Sequence, residues 1–406
     1  MTGLQNGNRA RAGVAQGLTV VIAGFLPMIA IVSMFPAVPS IIDHFHDDPT
    51  AGWKVPWMVT APGLAIAVIS PFAGALIDRF GRRAFVVWST LLYAVAGTAP
   101  FFLASLDAMF LSRVALGIAE AAILTTVNTL IADYWDEQGR RHWLSIQGIA
   151  GPFLGSALIL GSGYLTAMQW NGVFLIYLSA FPIFLAMFAF VFEPEVPVSH
   201  PAAEDGLHDR SPFPVRQIAL IGGVTLLCSI IYYVYAVNGG LAFREVGVES
   251  SDELGRITFL PSLGVSLGAG IFWLVGKHRS EVAFALLLAL VGGGLWLIGV
   301  APDWKWMAAG VVFQQTGVGM MIPTLITWAQ RDLPVQHRGR GMGVWTGCFF
   351  LGQFLSPPLV TLGQTAIGSM QGTFAAAGMA ALVGVPIALG SLLQSGSSPR
   401  SDVVAG

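Results

Sequence analysis

Charged residues are scarce in this sequence. Asp, Glu, Lys and Arg make up 10% of its 406 residues, against about 25% in an ordinary soluble domain, too few to cover a water-soluble chain of this length. Neither sign dominates: 20 basic and 22 acidic residues leave a formal charge of −2, so there is no basic footprint for nucleic acid. Cysteine is almost missing, and Cys228 and Cys348 both lie in apolar runs, which excludes a disulfide framework or a cysteine-built metal centre. No G-x-x-x-x-G-K-[ST] stretch occurs; Gly276-Lys277 runs on into His278, so nothing offers the phosphate cradle that ATP hydrolysis needs. None of the seven histidines pairs with another at helical ligand spacing. His44 and His46 share an acidic stretch with Asp43, Asp47 and Asp48 that reads as a solvated loop. A soluble enzyme is excluded, a membrane-embedded one would lack its cluster of titratable groups, and neither a metal nor an organic cofactor is expected.

What the sequence has is apolar length. Mean hydropathy is +0.71, and 55% of residues are hydrophobic, gathered into blocks that exceed the roughly 18 residues a membrane span requires. Twelve blocks read as spans, near 14–37, 56–77, 84–104, 108–132, 143–167, 171–192, 217–238, 254–276, 282–301, 305–329, 341–364 and 370–393. The first is too long for a signal-peptide core and is followed by eleven others, so it is expected to be retained. The widest gap, 193–216, is rich in Pro and charge and predicts a flexible linker between two six-helix halves, 1–192 and 217–406.

The basic residues orient the chain. Fifteen fall on the side of the termini, including Arg79, Arg82, Arg83, Arg140, Arg141, Arg338 and Arg340; only Lys54, Arg244, Arg256 and Lys305 fall opposite, and Arg113 lies within a span. That bias predicts both termini on the cytoplasmic side of a bacterial inner membrane. The halves also echo each other. Gly81–Arg83 is matched by Gly276–His278, Gly151-Pro152 by Pro357-Pro358, and Arg140-Arg141 by Arg338 and Arg340, all near half the chain length apart. Such internal symmetry marks a duplicated transporter. The expectation is an all-α membrane protein of twelve helices in two pseudo-symmetric bundles, a monomer whose partners are the lipid bilayer and a small-molecule substrate.

Between spans two and three the chain reads Gly74-Ala-Leu-Ile-Asp78-Arg79-Phe-Gly81-Arg82-Arg83. One acid among three bases, with glycines for a tight reversal, resembles the signature loop of the major facilitator superfamily, and the twelve-span layout agrees over about 15–393. The resemblance implies a cytoplasmic latch in which Asp78, Arg79, Arg82 and Arg83 tie span two to the start of span eleven while the transporter faces outward. In the second half Trp273 stands where Asp78 does, so only the first latch is complete.

Span four carries Arg113 and Glu120, the one base and the one acid deep within any span. Seven residues is about 20° short of two helical turns, so they share a face about 10.5 Å apart along the axis. Each costs roughly 2.5–3.5 kcal/mol at mid-membrane, so each should face a wet cavity or a partner. A carboxyl whose charge depends on water access suits a proton carrier. The alternative is a polar bridge between helices, with water or Gln147 as partner. The arginine followed by glycine resembles the superfamily's span-four motif linked to proton coupling, and the G-x-x-E-A that follows resembles organic-anion and Spinster-type lipid transporters. Span one carries no charge, unlike many drug exporters.

Span five contains Gly148-Ile-Ala-Gly151-Pro152-Phe-Leu-Gly155-Ser156. The proline predicts a bend, and Gly151 and Gly155 predict a closely packed neighbouring backbone. This resembles the core of the antiporter motif in drug/proton exchangers, with Gln147 and Ser156 standing where that motif has glycine. The second half has no charge deep in a span; its polar candidates are Tyr232, Tyr233, Tyr235, Asn238, Gln314, Gln315 and Gln353. Only one of the adjacent glutamines can point straight at a cavity. With Trp57 and the Phe and Met residues, they suggest a cavity for a partly apolar substrate. The resulting expectation is secondary transport by alternating access, as proton-coupled efflux of a small amphipathic or hydrophobic compound driven by the proton gradient. Uptake of an organic anion or lipid-like solute bound directly by Arg113 is the alternative within that class. A non-transporting sensor or scaffold is the alternative outside it.

Overall fold

The computed structural model describes residues 12–194, 214–275, 280–334 and 337–395, apart from the side-chain surroundings of Gly74, Ala75, Asp78, Ser280 and 390–395. Most of the 193–216 linker, both chain ends and Gly276–His278 therefore lie outside the described residues. All regular structure among the described residues is helical. Among the described residues, eleven helical segments are long and apolar enough to cross a membrane. The remaining one, Arg338–Ile367, is 30 residues long but diluted by glutamines, prolines and threonines.

Span two is Ala51–Phe80, span three Arg82–Thr98, span four Leu106–Tyr134 and span five Glu137–Met168. Span seven is Val215–Glu245, span nine Ser280–Val300, span ten Trp304–Asp332, span eleven Arg338–Ile367 and span twelve Met370–Ser395. Most run past the apolar blocks because polar caps extend them: Ser105 accepts from Ala108 N–H, Asp136 from Gly139 N–H, and Asp303 from Lys305 and Trp306 N–H.

Three spans are not the continuous helices that hydropathy predicts. Span one is Val14–Ala23 and Leu26–Val32, interrupted at Gly24-Phe25, with Val38–His44 following; Pro27 and Pro39 each sit in the first turn of a new piece, where a missing N–H costs nothing. Span six starts as a 3-10 turn at Gly172–Ser179 before the helix Ala180–Phe190. Span eight divides into Ser251–Ser262 and Gly264–Val275 beside Pro261. Prolines lacking a donor end or reset local helices without ending the span.

The halves meet in two crossings, span two against span eleven and span five against span eight. Exchanging the halves converts one crossing into the other, which is the pseudo-twofold of the fold. Glycine makes both possible: a Cβ at Gly163 would lie 2.5 Å from the Ser251 carbonyl, and one at Gly63 would lie 2.8 Å from the Phe350 carbonyl. Along span eleven the approach then loosens. A Cβ at Gly347 would be 3.6 Å from the Ala67 carbonyl, and at Gly343, one turn further, no described atom lies within 4 Å. Among the described residues, the close approach of the two helices is thus lost toward the face that carries Gly81.

On the opposite face the halves are tied. Arg244, ending span seven, donates from Nη1 and Nη2 to the two carboxylate oxygens of Asp43, at 2.8 and 2.5 Å. Ser251 Oγ donates to the Pro36 carbonyl at 2.8 Å and lies 2.7 Å from Ser40 Oγ. Beside this tie, hydrogen bonds from Thr50 hold the Asp48 carboxyl below its usual range.

The bidentate pair is half exposed, and exposed pairs contribute at most about 1 kcal/mol. Arg244→Ala should therefore raise the population opened on the Asp43 face by about fivefold at most. Spin labels at the exposed positions His46 and Glu249, one in each half, would read this as a new long-distance component. An unchanged distance distribution would show that the pair does not hold the face closed.

Candidate functional site

Span four places its two charges inside the first half. Arg113 is 1% and Glu120 3% exposed. Arg113 Nη1 donates to Tyr177 Oη at 2.7 Å, Nη2 approaches Met34 Sδ at 3.8 Å, and the guanidinium lies 4.9 and 4.8 Å from the ring centres of Phe174 and Tyr177. Tyr177 Oη passes its own hydrogen on to the Ala30 carbonyl at 3.0 Å. Tyr93 Oη donates to the Leu26 carbonyl at 2.6 Å. Spans three, four and six are thereby pinned to one side of span one.

Glu120 is answered less completely. Its Oε1 is buried without a hydrogen-bond partner, and no described ion pair joins it to Arg113. The hydroxyls of Tyr93, Tyr177 and, from the second half, Tyr233 lie within electrostatic reach of the carboxylate.

A cavity of about 400 Å³ lies between the halves, walled by spans one, five, seven, eight and ten. Of the two alternatives expected for an intramembrane charge, a wet cavity or a partner, Arg113 has the partner; neither Arg113 nor Glu120 borders the cavity. The reason is span one: Gly24, Phe25, Met28, Ile31, Val32 and Phe35 face the cavity, while Leu26 and Ala30 turn their backs to it and accept from Tyr93 and Tyr177. The helix is a partition.

Of the expected cavity residues, Gln147, Tyr232, Tyr235, Gln314 and Gln315 line it. Both adjacent glutamines do so, because span ten meets the cavity broadly enough to present residues 100° apart. Asn238 instead donates to the Val234 carbonyl of its own helix at 3.3 Å. Gln353 is buried in the span two–span eleven crossing, against Gly63. Trp57 packs on Phe354 and Phe110 outside the cavity.

Gly151, Pro152 and Gly155 form part of the wall. The close backbone expected at these glycines is absent among the described residues: a Cβ at Gly151 or Gly155 would meet only Phe25 at 3.6 Å or Met28 at 3.8 Å. Space, rather than contact, is what they provide. Ser156, the departure from the glycine pattern, also lines the cavity; its Oγ, Tyr235 Oη and Gln314 Oε1 are all buried without a protein partner. No ionisable Asp, Glu, Lys, Arg or His appears among the described lining residues. A cation placed here would find the rings of Phe25, Phe35, Tyr232 and Tyr235, worth about 0.5–2 kcal/mol, against a desolvation cost of several kcal/mol.

The loop between spans two and three is engaged within its own half. Gly81 adopts φ 81°, a conformation side chains resist, and a Cβ there would also crowd the Glu193 carboxylate. That carboxylate accepts from the N–H groups of Arg82 and Arg83, both at 2.8 Å, at the positive end of span three. Arg82 pairs with Asp133 at 2.7 Å, Arg83 donates to the Val191 and Phe188 carbonyls, and Arg79 lies over Phe80. The Asp78 side chain and Gly74 lie outside the described surroundings.

Sequence reasoning missed Tyr177, Phe174, Met34, Tyr93 and Glu193. Tyr177 and Tyr93 carry the polar hydroxyls of apolar spans, a usable signal. Nothing in the sequence indicates that Met34 and Phe174 face Arg113.

The family model described as Major Facilitator Superfamily matches residues 20–280 and 248–403. Multidrug resistance protein 1 of Bacillus subtilis is 28% identical over 147 residues, spanning 36% of each chain. The putative metabolite transport protein YfiG of the same organism is 23% identical over 414 residues, covering 82% of each. Among solved structures, a bacterial homologue of the human lysosomal transporter Spinster, in an inward-facing and occupied conformation, superposes with TM-score 0.73. It is 14% identical and covers 94% of this chain and 96% of its own.

Tyr177→Phe keeps the ring beneath Arg113 and removes both of its hydroxyl bonds. The variant should lose about 1–3 kcal/mol of stability, read as lower thermal stability in detergent. Tyr164→Phe, at a partly exposed position, should leave that stability within about 0.5 kcal/mol of the wild type. Equal melting of all three proteins would show that Arg113 does not depend on the Tyr177 hydroxyl.

Proposed function

The chain belongs to the Major Facilitator Superfamily, a multi-pass membrane transporter rather than an enzyme, and from that premise we propose that it exports a small amphipathic or hydrophobic compound in exchange for protons. Export would proceed by alternating access across a bacterial inner membrane, with both termini cytoplasmic. In this orientation the Gly81 face is the cytoplasmic one, so the conformation described is inward-facing: tied outside through Asp43 and Arg244, with the close approach lost inside. The Asp78 latch belongs to the opposite conformation, in which span two and the start of span eleven come together.

The observation that carries the reading is the Oε1 of Glu120, buried and unpartnered and not among the described lining of the central cavity. Neutral, the carboxyl is tolerable among apolar side chains; ionised, it calls for water or for Arg113. Loss or gain of its proton changes the demand on the Arg113–Tyr177–Ala30 chain, which ends on span one itself. The proton and the substrate thus act on different groups and need not compete for one. Similarity to multidrug resistance protein 1 supports efflux; the partly apolar cavity supports an amphipathic cargo.

In proteoliposomes holding a fluorescent amphipathic dye, an imposed proton gradient should drive dye movement and a matching proton flux. Glu120→Gln, which keeps the shape and abolishes titration, should leave the protein folded and remove the proton-driven component. Full coupling in that variant would remove Glu120 from the mechanism.

A further inference from the structure

Three residues of the central cavity wall each carry a polar atom that is buried without a protein partner. Ser156 Oγ comes from span five in the first half; Tyr235 Oη and Gln314 Oε1 come from spans seven and ten in the second. Ser156 and Gln314 are each 1% exposed and Tyr235 2%, so bulk water does not satisfy them in a packed wall. Burial of unpaired polar groups is disfavoured, and a site built this way rejects ligands that leave the groups unpaired.

Their chemistry differs. The two hydroxyls can donate as well as accept, whereas an amide oxygen only accepts. A ligand that satisfies all three offers at least one acceptor to the hydroxyls and one N–H or O–H donor to Gln314. Around them the wall is aromatic and thioether: Phe25, Met28 and Phe35 from span one, the last with its ring 5.0 Å from that of Tyr235. No carboxylate is available among the described lining residues, and Glu120, the one buried acid among the described residues, is not part of that lining.

We propose that this cavity selects uncharged, flat aromatic compounds bearing both a hydrogen-bond acceptor and a hydrogen-bond donor, and discriminates against permanent organic cations of the same size. The inference rests on the transport reading above and names its substrate class. Aromatic faces attract a cation, but without a carboxylate that attraction does not replace the water the cation gives up. A ligand held by Ser156 on one side and by Tyr235 and Gln314 on the other bridges the two halves that must move. Recognition and conformational change then share the same contacts.

The test is equilibrium binding to purified full-length protein, which requires neither transport nor a proton gradient. Three tricyclic probes serve: acridone, with a carbonyl acceptor and an N–H donor; N-methylacridone, neutral without the donor; and N-methylacridinium, a permanent cation. Acridone should bind about tenfold or more tighter than N-methylacridinium, with N-methylacridone between them. Gln314→Leu should erase the difference between the two acridones, while the near-isosteric Tyr235→Phe and Ser156→Ala should each weaken acridone several-fold. Wild-type affinity for the cation equal to or above that for acridone, or no binding of acridone, overturns the substrate class. Equal loss of all three probes in Gln314→Leu overturns the role of its amide. Selective acridone binding with no proton-coupled movement of acridone in vesicles would instead leave the substrate class standing and overturn the exchange mechanism.

Discussion

A bilayer offers no hydrogen-bond partners, so a charge placed within a span must be answered by the protein around it. Arg113 is answered at both terminal nitrogens, where a tyrosine hydroxyl, two aromatic faces and a thioether enclose it, while its Nε is buried without a hydrogen-bond partner. Because those partners come from spans one and six, the price of hiding one guanidinium is a fixed relation among three helices. Glu120, two turns along the same helix, is left with an unpartnered oxygen. One rigid charge and one unsettled charge therefore stand side by side. The second half has no counterpart: counting from the capping residues Ser105 and Asp303, Arg113 and Glu120 correspond to Val311 and Val318. The fold is nearly symmetric, and its charge is not.

Span one separates two chemistries. Leu26 and Ala30 supply carbonyls to the tyrosines of the first half, while Gly24, Phe25, Met28 and Phe35 present an apolar wall to the cavity. Its interruption at Gly24-Phe25 restarts the helix at Leu26 with Pro27 in the first turn. The break also makes room for a neighbour, since a Cβ at Gly24 would collide with the Gln147 side chain. A change in hydrogen bonding on one face has a direct mechanical route to the other.

The contacts between the halves are of a kind that can be exchanged. The crossings rest on glycine against backbone, which permits close approach without interlocking side chains, and the ion pair on the Asp43 face is partly solvated. On the Gly81 face the side chains of Arg82 and Arg83 are committed to Asp133 and to backbone carbonyls of the first half, and their N–H groups to Glu193. A molecule that alternates needs ties on each side that are firm when made and inexpensive to break, and half-exposed charge meets both conditions.

Much of this could be read from residue order. Scarce charge and repeated apolar blocks led to a membrane bundle, half-length echoes led to duplication, and the G-x-L-x-D-R-x-G-R-R pattern led to the family. These properties are local or periodic, and the bilayer leaves helices as the main way to satisfy the backbone. Gln147, Tyr232, Tyr235, Gln314 and Gln315 were legible as cavity residues because polar groups in an apolar span need a purpose. Asn238 and Gln353 met the same criterion and found other purposes, one in its own helix and one in a crossing. Which face of span one meets Arg113, that Ser156 and not Glu120 borders the cavity, and that Gly151 and Gly155 make space were decided only when twelve helices packed together. Helical periodicity groups the residues of one face; it does not say which neighbour that face will meet, and the neighbour sets the chemistry.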